Sequence, residues 1–546
     1  MTLALQFILT IALTVVLADA TLMCGGTLNR IIFPAAWFIA VAGTFFLSTS
    51  PRAWLRHSLG ATAVIIAACA VATLVSDPSW DGNYYHQEIA ARLQGAWNPY
   101  LMSDAEAKAF DPDTSLWAMH YAKGLETAAA CIIALTGNIE SGKAVNWMLV
   151  IACVAPVWMW VRRCLGNVSP RIRAAVTVAT VLCPVSILQI FTYYVDYAQY
   201  CYILLAIAGG AMFTDGIDRS TRLQGTILVA AAIILAVATK FTAFFFTGLC
   251  CALIIIRLLA LRRFRPAFRL SVLCAGAAVA GVLISYHPYI TNLTDYGNPF
   301  YPLLGQGSAD IMTGNTPAEY SGHNRVTNFI ISNFSFNLKT LYDSRMGGFG
   351  AMFGLILAAS LAAVFALRYP HKRTAVYVTL CALLSCFIFS QAWWARYVSQ
   401  AWLTVPAACY AIAACRSRRR TVFGSVFGIL VGLNLLQCIA TSVAFAGHQA
   451  LQRHTILNAL RGNSLPAANI KPQDVMRLQG YGITVVPVPA DTTYTRPGVL
   501  LYGRTDYVHD VGPYSMPVIY ADKSGLRRIS TRLDRLHLNQ NLFFPL

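Results

Sequence analysis

The sequence predicts a polytopic α-helical membrane protein with a small α/β or mostly-β domain at its C-terminal end. Three observations carry that expectation. Hydrophobic residues make up 57% of the 546 and charged residues only 12%, with a mean hydropathy of +0.56, whereas a soluble domain carries roughly 25% charged residues. Apolar runs of about 16–22 residues, the length that a bilayer core demands, recur along most of the chain. The basic residues fall in short clusters between those runs: Arg52 and Arg56; Arg162, Arg163, Arg171 and Arg173; Arg219 and Arg222; Arg257, Arg262, Arg263, Arg265 and Arg269; Arg368, Lys372 and Arg373; Arg416, Arg418, Arg419 and Arg420.

These clusters hold about half of the 41 Lys and Arg. The formal net charge of +18 thus has the distribution of cytoplasmic loops, and no nucleic-acid partner is needed to explain it. The 15 cysteines lie almost wholly inside apolar runs. There they act as small hydrophobes, and their spacing implies neither a disulfide framework nor a zinc site. Met1–Ala20 lacks a basic n-region and is followed by many spans, so it is expected to be a retained first helix.

Thirteen spans are expected, at 2–20, 30–48, 59–75, 144–161, 174–190, 197–214, 223–238, 241–258, 270–287, 348–367, 374–390, 397–415 and 421–440. With the N-terminus inside, this count puts every basic cluster on the cytoplasmic side of a bacterial inner membrane. It puts the 77–143 loop, the 288–345 loop and the tail outside. Leu125–Leu135 would invert all later clusters if it spanned; it is too short, and a helix lying at the outer interface is expected. Residues 1–58 are then N-terminal spans, 59–440 a catalytic core and 445–546 an extracytoplasmic domain. In that domain GITVVPVPADTTYTRPGVLLYG and YSMPVIYADKSGL alternate apolar and polar residues between turns, as short strands do.

The distinctive polar residues fall on one face. The stretch from Asp77 to Glu126 gathers Asp81, His86, His120, Lys123 and Glu126 among aromatics, just beyond a span. Ionisable groups at such a boundary are costly to keep without a task. On a helix Asp81, Tyr85 and Glu88 would share one side, and a carboxylate there can take the proton of a substrate hydroxyl. Lys123 offers a point charge to a phosphate, or caps the next helix together with Glu126. Asp196 and Lys240 stand at outer ends of spans, where a Lys can also snorkel. The turn HPYITNLTDYGNPFYPLLG, with Asn298 and Tyr301, suits the side of a lipid groove, and Asn292-Leu293-Thr294 is formally a glycosylation sequon. Arg345, among glycines that permit close approach, and Arg396, beside Tyr397, can grip phosphate oxygens bidentately; each can equally be an ordinary interfacial charge. Asp111-Pro112-Asp113 matches a DxD metal pattern and equally a plain turn, so no metal or cofactor is expected. No nucleotide-binding loop appears, which excludes a nucleotide-driven mechanism.

WDGNYYHQ, HYAKGLE, YVD, GNPFYPL and WWARY succeed one another on this face between residues 59 and 415. In these segments the chain resembles the GT-C superfamily, polytopic glycosyltransferases that use polyprenyl-phosphate-linked sugars, such as the dolichyl-phosphate-mannose mannosyltransferases. The resemblance implies an inverting transfer of a hexosyl or pentosyl group at the outer leaflet, from that donor to a glycan, lipid or protein acceptor. Asp81 matches the family's catalytic first-loop Asp, and the resemblance gives Lys123, Lys240, Arg345 and Arg396 the donor phosphate. Tyr85, His86, His120, Glu126, Asp196, Asn298, Tyr301 and Tyr397 are expected to complete the donor and acceptor site. Two features depart from the family: two extra spans come first, and Gly82 stands where relatives often carry a second acid. A ligase or polymerase of lipid-linked glycans would share this phosphate logic. A transporter or flippase would instead need polar groups at mid-membrane or broken helices.

Overall fold

The computed structural model describes residues 1–48, 50–95, 97–110, 114–304, 316–338, 340–415, 420–489, 497–501, 517–539 and 542–544. The apolar runs become helices because, without water, the backbone must satisfy its own N–H and C=O groups. α1 (Thr2–Met23), α2 (Ile32–Phe45) and α3 (Pro51–Leu74) lead into the first long loop, which holds the short helices α4 (Gln87–Arg92), α5 (Asp104–Phe110), α6 (Ser115–His120) and α7 (Gly124–Thr136). The bundle continues with α8 (Ala144–Cys164), α9 (Pro170–Val181), α10 (Pro184–Gln189), α11 (Asp196–Asp215), α12 (Arg219–Thr239), α13 (Phe241–Ala260) and α14 (Phe264–Ile284). Then come α15 (Tyr286–Tyr296), α16 (Arg325–Phe334), α17 (Phe353–Ala366), α18 (Lys372–Cys386), α19 (Thr404–Ala414) and α20 (Arg420–Ala459).

Each of the thirteen expected spans contains a helix, but among the described residues only 8 helices are long and apolar enough to cross a bilayer: α1, α3, α8 with the turn before it, α11 to α14, and α20. The other five segments are shorter or broken. α2, α17 and α18 have 14, 14 and 15 residues. Pro184, which has no N–H to continue a helix, separates α9 from α10, and a 3₁₀ turn at Ser399–Leu403 precedes α19.

α7 corrects the expectation for Leu125–Leu135. It is 13 residues long, too short to span, yet it does not lie on a surface: residues 124–133 are buried, packed by α1, α4 and α12. Its largely apolar surface suits the inside of a protein rather than an interface, and its one carboxylate, Glu126, is paired there with His86. A Cβ on Gly124 would meet the Ala238 carbonyl oxygen at 2.9 Å, so only glycine allows this approach to α12.

Among the described residues, contacts draw several of the basic clusters to one end of the bundle. Asp215, closing α11, pairs with Arg163 of α8 (3.9 Å) and with Arg263 before α14 (2.6 Å). Arg257 of α13 reaches Thr374 of α18 at 3.1 Å, and Gln224 of α12 donates to the Leu47 carbonyl ahead of Arg52 at 3.5 Å. This last contact puts the first cluster beside the later ones, as the thirteen-segment order requires.

α20 runs unbroken for 40 residues, about 60 Å, or twice the ~30 Å hydrocarbon thickness. It therefore leaves the membrane as a stalk, which moves the start of the C-terminal domain from 445 to about 460. Beyond it lie β1 (Ser464–Ala468), α21 (Pro472–Gln479), β2 (Thr484–Pro487), β3 (Gly498–Leu500), β4 (Val518–Tyr520), α22 (Lys523–Arg535) and β5 (Phe543–Phe544). They form an α/β unit whose sheet has the order β2-β1-β4-β3-β5, with β1 and β2 parallel and the other pairs antiparallel. Leu478, Val499, Val518, Leu526 and Leu533 are fully buried at its core. The strands expected from alternation are β2, β3 and β4. Asp522 instead turns the second alternating segment into α22, capping it by accepting from the Gly525 N–H at 3.0 Å.

Two exposed thiols report the orientation. Cys24 ends α1 on the side of the first long loop, and Cys164 ends α8 at the basic end. With the basic end cytoplasmic, an impermeant maleimide added to intact cells or spheroplasts labels Cys24 and spares Cys164, and inverted vesicles give the reverse. Labelling of Cys164 from outside would turn the molecule over.

Candidate active site

Asp81 sits on a turn built by Asp77. The buried Asp77 carboxylate accepts from the backbone N–H of Ser79 (2.7 Å), the Gln87 side chain (3.1 Å) and the backbone N–H of Tyr193 (2.9 Å). The chain then enters a π-helical turn at Gly82–His86. A Cβ on Gly82 would lie 2.0 Å from Asp77 Oδ2 and 2.2 Å from Ser79 Oγ. A second acid cannot stand there without dismantling the turn. The wider π turn also rotates the residues beyond it about the helix axis. Tyr85 stays within the field of Asp81 and Arg396, but Glu88 turns away to Lys471 (2.7 Å), Thr114 (3.2 Å) and Arg92. The single Asp81–Tyr85–Glu88 face expected of a regular helix is lost at Glu88.

Arg396 is the hub of the site. Its Nη1 lies 2.8 Å from Asp81 Oδ2, 3.4 Å from Asp343 Oδ1 and 3.7 Å from Asp196 Oδ2. Its Nη2 donates to the Tyr397 hydroxyl at 3.1 Å. The guanidinium also faces the rings of Trp394 (4.3 Å), Tyr194 (4.7 Å) and Tyr397 (5.0 Å), a cation–π arrangement. Lys240 pairs with Asp196 and lies 4.8 Å over Tyr397. Arg345 pairs with Asp343 at 2.5 Å and lies 4.8 Å over Trp394. Three carboxylates thus meet three cations. The Arg396 and Asp196 side chains are only 6% and 2% exposed, and charges that enclosed persist only when paired. Burial pushes the Asp343 carboxyl up, against the pull of Arg396 and Arg345.

Besides the turn that carries Asp81, four separate turns deliver these groups. Lys240 is the single extended residue between α12 and α13. Asp196 opens α11, where the helix dipole favours a negative charge. Asp343 and Arg345 precede α17, and Arg396 lies between α18 and α19.

The other expected residues divide. His86 Nδ1 meets Glu126 Oε1 at 2.6 Å, both buried, and the His86 ring lies against Tyr85. Lys123 does not join the Arg396 cluster. Its ammonium donates to the Tyr121 carbonyl (2.9 Å) and meets His287 Nδ1 at 3.0 Å; burial pushes it down to about 7, opposed by Asp19 and Glu126. His120 belongs to a third group, with Asn292 at 2.8 Å, Asp104 at 3.3 Å, and the stacked rings of Tyr296 and Tyr301 beside it. Asn298 caps its own turn by accepting from the Phe300 N–H at 3.0 Å. Asn292 of the formal sequon is buried, and its amide donates to the His120 and Tyr301 carbonyls. Asp111-Pro112-Asp113 lies outside the described residues.

Sequence reasoning missed Asp343 and Tyr194 in the site and the docking of the C-terminal domain beside it. The domain's helix α21 docks on the loop that carries Asp81. Arg477 Nη2 reaches Glu140 Oε1 (2.8 Å) and Gln87 Oε1 (2.7 Å), and its Nη1 reaches Asp474 (3.1 Å). Glu140 also pairs with Lys143 (2.7 Å) and accepts from the Asp77 N–H (3.0 Å). Arg453 donates to the Asp77 carbonyl (2.7 Å), and Gln473 to that of Asn83 (3.0 Å).

Fold and site together define a polytopic helical membrane protein with a paired acid and guanidinium at one end of its bundle. No protein-family model matches the chain, and no curated protein matches it. Among solved structures it is similar to ArnT from Cupriavidus metallidurans bound to undecaprenyl phosphate, at 12% identity over 85% of this chain and 99% of that one, with a TM-score of 0.48. It is also similar to the arabinofuranosyltransferase AftD from Mycobacteria, at 16% identity over 85% of this chain and 36% of that one, with a TM-score of 0.43. Both likenesses are too loose to carry a residue's role across.

Arg477→Ala leaves Glu140 and Asp474 short of a partner in a site where Arg477 is 5% exposed. It should cost about 3–5 kcal/mol. Arg345→Ala removes a pair whose Arg is 44% exposed and should cost under about 1 kcal/mol. Denaturant unfolding of the two purified variants compares them; equal losses would mean that the domain merely rests on the loop.

Proposed function

We propose that the chain is an inverting glycosyltransferase, moving a sugar from a polyprenyl-phosphate donor to an envelope glycan, lipid or protein at the outer face of a bacterial inner membrane. The Asp81–Arg396 contact of 2.8 Å carries the reading, because it joins a proton acceptor to a phosphate-binding cation at the end of a membrane bundle. The acceptor hydroxyl gives its proton to Asp81, its oxygen bonds to the anomeric carbon, and the bond from that carbon to the phosphate oxygen breaks. The electron pair leaves with polyprenyl phosphate, whose charge Arg396, Arg345 and Lys240 offset. A single base suffices, in keeping with the absence of room at Gly82.

The membrane interior supports the lipid part of this reading. A cavity of about 620 Å³ lies between α8, α11, α13, α18 and α19, walled by Phe246, Leu249, Leu253, Ile254 and Val378. Gln400 lines it, and Gln199 bonds both Gln400 (3.2 Å) and the Tyr397 carbonyl (3.1 Å), which ties its wall to the ion cluster. Such an apolar space fits an isoprenoid chain. The lining is mostly apolar, and Arg163, Asp215, His371 and Thr374 close it at the basic end.

Asp81→Asn keeps the shape of the side chain and removes the base. Sugar transfer from a polyprenyl-phosphate donor should then fall by about 10²–10⁴-fold, while undecaprenyl phosphate still stabilises the purified variant against heat. Retained transfer would shift the base to Glu126 or Asp196. Arg396→Lys keeps the charge but loses the forked geometry and ring stacking, so that the same thermal shift should shrink; an unchanged shift would reduce Arg396 to an interfacial charge.

A further inference from the structure

We infer that the donor phosphate enters by exchange, taking the place of the Asp81 carboxylate on Arg396, so that donor binding and release of the base are one event. The exchange presupposes the transferase reading above. Three observations point to it.

The first is which carboxylate can leave. Asp196 also holds Lys240 and Asp343 also holds Arg345, whereas among the described residues the only cation paired with Asp81 is Arg396. The Asp81 and Asp343 side chains are 22% and 24% exposed against 2% for Asp196, so exposure sets Asp196 apart and the second cation, Arg345, sets Asp343 apart. Swinging Asp81 away breaks one ion pair and moves the carboxylate toward water.

The second is what stays behind. Three aromatic rings, the Tyr397 hydroxyl, Asp196 and Asp343 hold the guanidinium whether or not Asp81 is in contact. Asp343 is thus a positioning residue: it fixes Arg396 and, through its other oxygen, Arg345.

The third is spare donor capacity. A guanidinium carries five N–H donors. Nη1 is shared among three carboxylates, Nη2 serves Tyr397, and the buried Nε has no partner among the described residues. A phosphate, with more oxygens than a carboxylate, satisfies what Asp81 leaves open. A singly charged phosphodiester replacing one carboxylate also keeps the charge around Arg396 as it was. The same contact engages Asp81 Oδ2, one of the two oxygens that can accept the acceptor's proton, and the exchange frees it when the donor arrives.

The test is undecaprenyl phosphate binding, measured on wild type, Asp81→Asn, Asp81→Ala and Asp343→Asn in lipid nanodiscs. Two Asp81 variants are used so that a folding defect in one does not decide the result. Both should bind on the order of tenfold more tightly than wild type, since the phosphate no longer competes with a carboxylate. Asp343→Asn should gain nothing, because it loosens the cation that the phosphate needs. Wild-type binding that neither Asp81 variant improves overturns the exchange alone, as does an equal gain in Asp343→Asn, which would mean simple charge removal. No binding by any of the four removes the donor reading and the exchange with it.

Discussion

An arginine cannot be discharged by burial, because its guanidinium keeps its proton at any pH a cell meets. Placing Arg396 at the edge of a membrane bundle with 6% of its side chain exposed therefore obliges the fold to bring anions to it. Asp81, Asp196 and Asp343 answer that demand from three different turns, and two of them bring cations of their own. The ends of α11, α12, α13, α17 and α18 opposite the basic clusters converge because these charges have no other low-cost place. The aromatic rings around the guanidinium add attraction while excluding water.

The same constraint recurs one layer further out. Glu140 is buried between the start of α8 and the C-terminal domain, and Lys143 and Arg477 neutralise it there. Because Glu140 also accepts from the Asp77 backbone, the domain is wired to the turn that presents Asp81. The stalk formed by α20 is long enough to put α21 over that turn. A domain that reads from composition as an appendage thus braces the turn that presents Asp81.

Much of this was legible in the sequence. Helix positions, the shared end of several basic clusters and the three C-terminal strands come from hydropathy, charge placement and alternation, which are local signals. Asp81, Asp196, Lys240 and Arg396 stood out as charges at span ends, and they meet. The features that escaped sequence reading depend on long-range pairing or irregular backbone. Arg477 and Glu140 are 337 positions apart, and nothing near either names the other. The π turn at Gly82–His86 defeats any count based on 3.6 residues, which is why Glu88 was expected beside Asp81. Asp343 was overlooked because Arg345, two residues on, drew attention as the phosphate ligand. Lys123 and His120 looked like members of one loop cluster, but sequence neighbours on a loop can face different partners, and these two do.

The most direct measurement is an experimental structure of the protein in lipid nanodiscs with undecaprenyl phosphate. The account predicts the phosphate against the Arg396 guanidinium, Asp343 and Asp196 still in place, and the Asp81 carboxylate turned away from it. A phosphate seated elsewhere, for instance beside Lys123 and His287, with the Asp81–Arg396 pair intact, would contradict it.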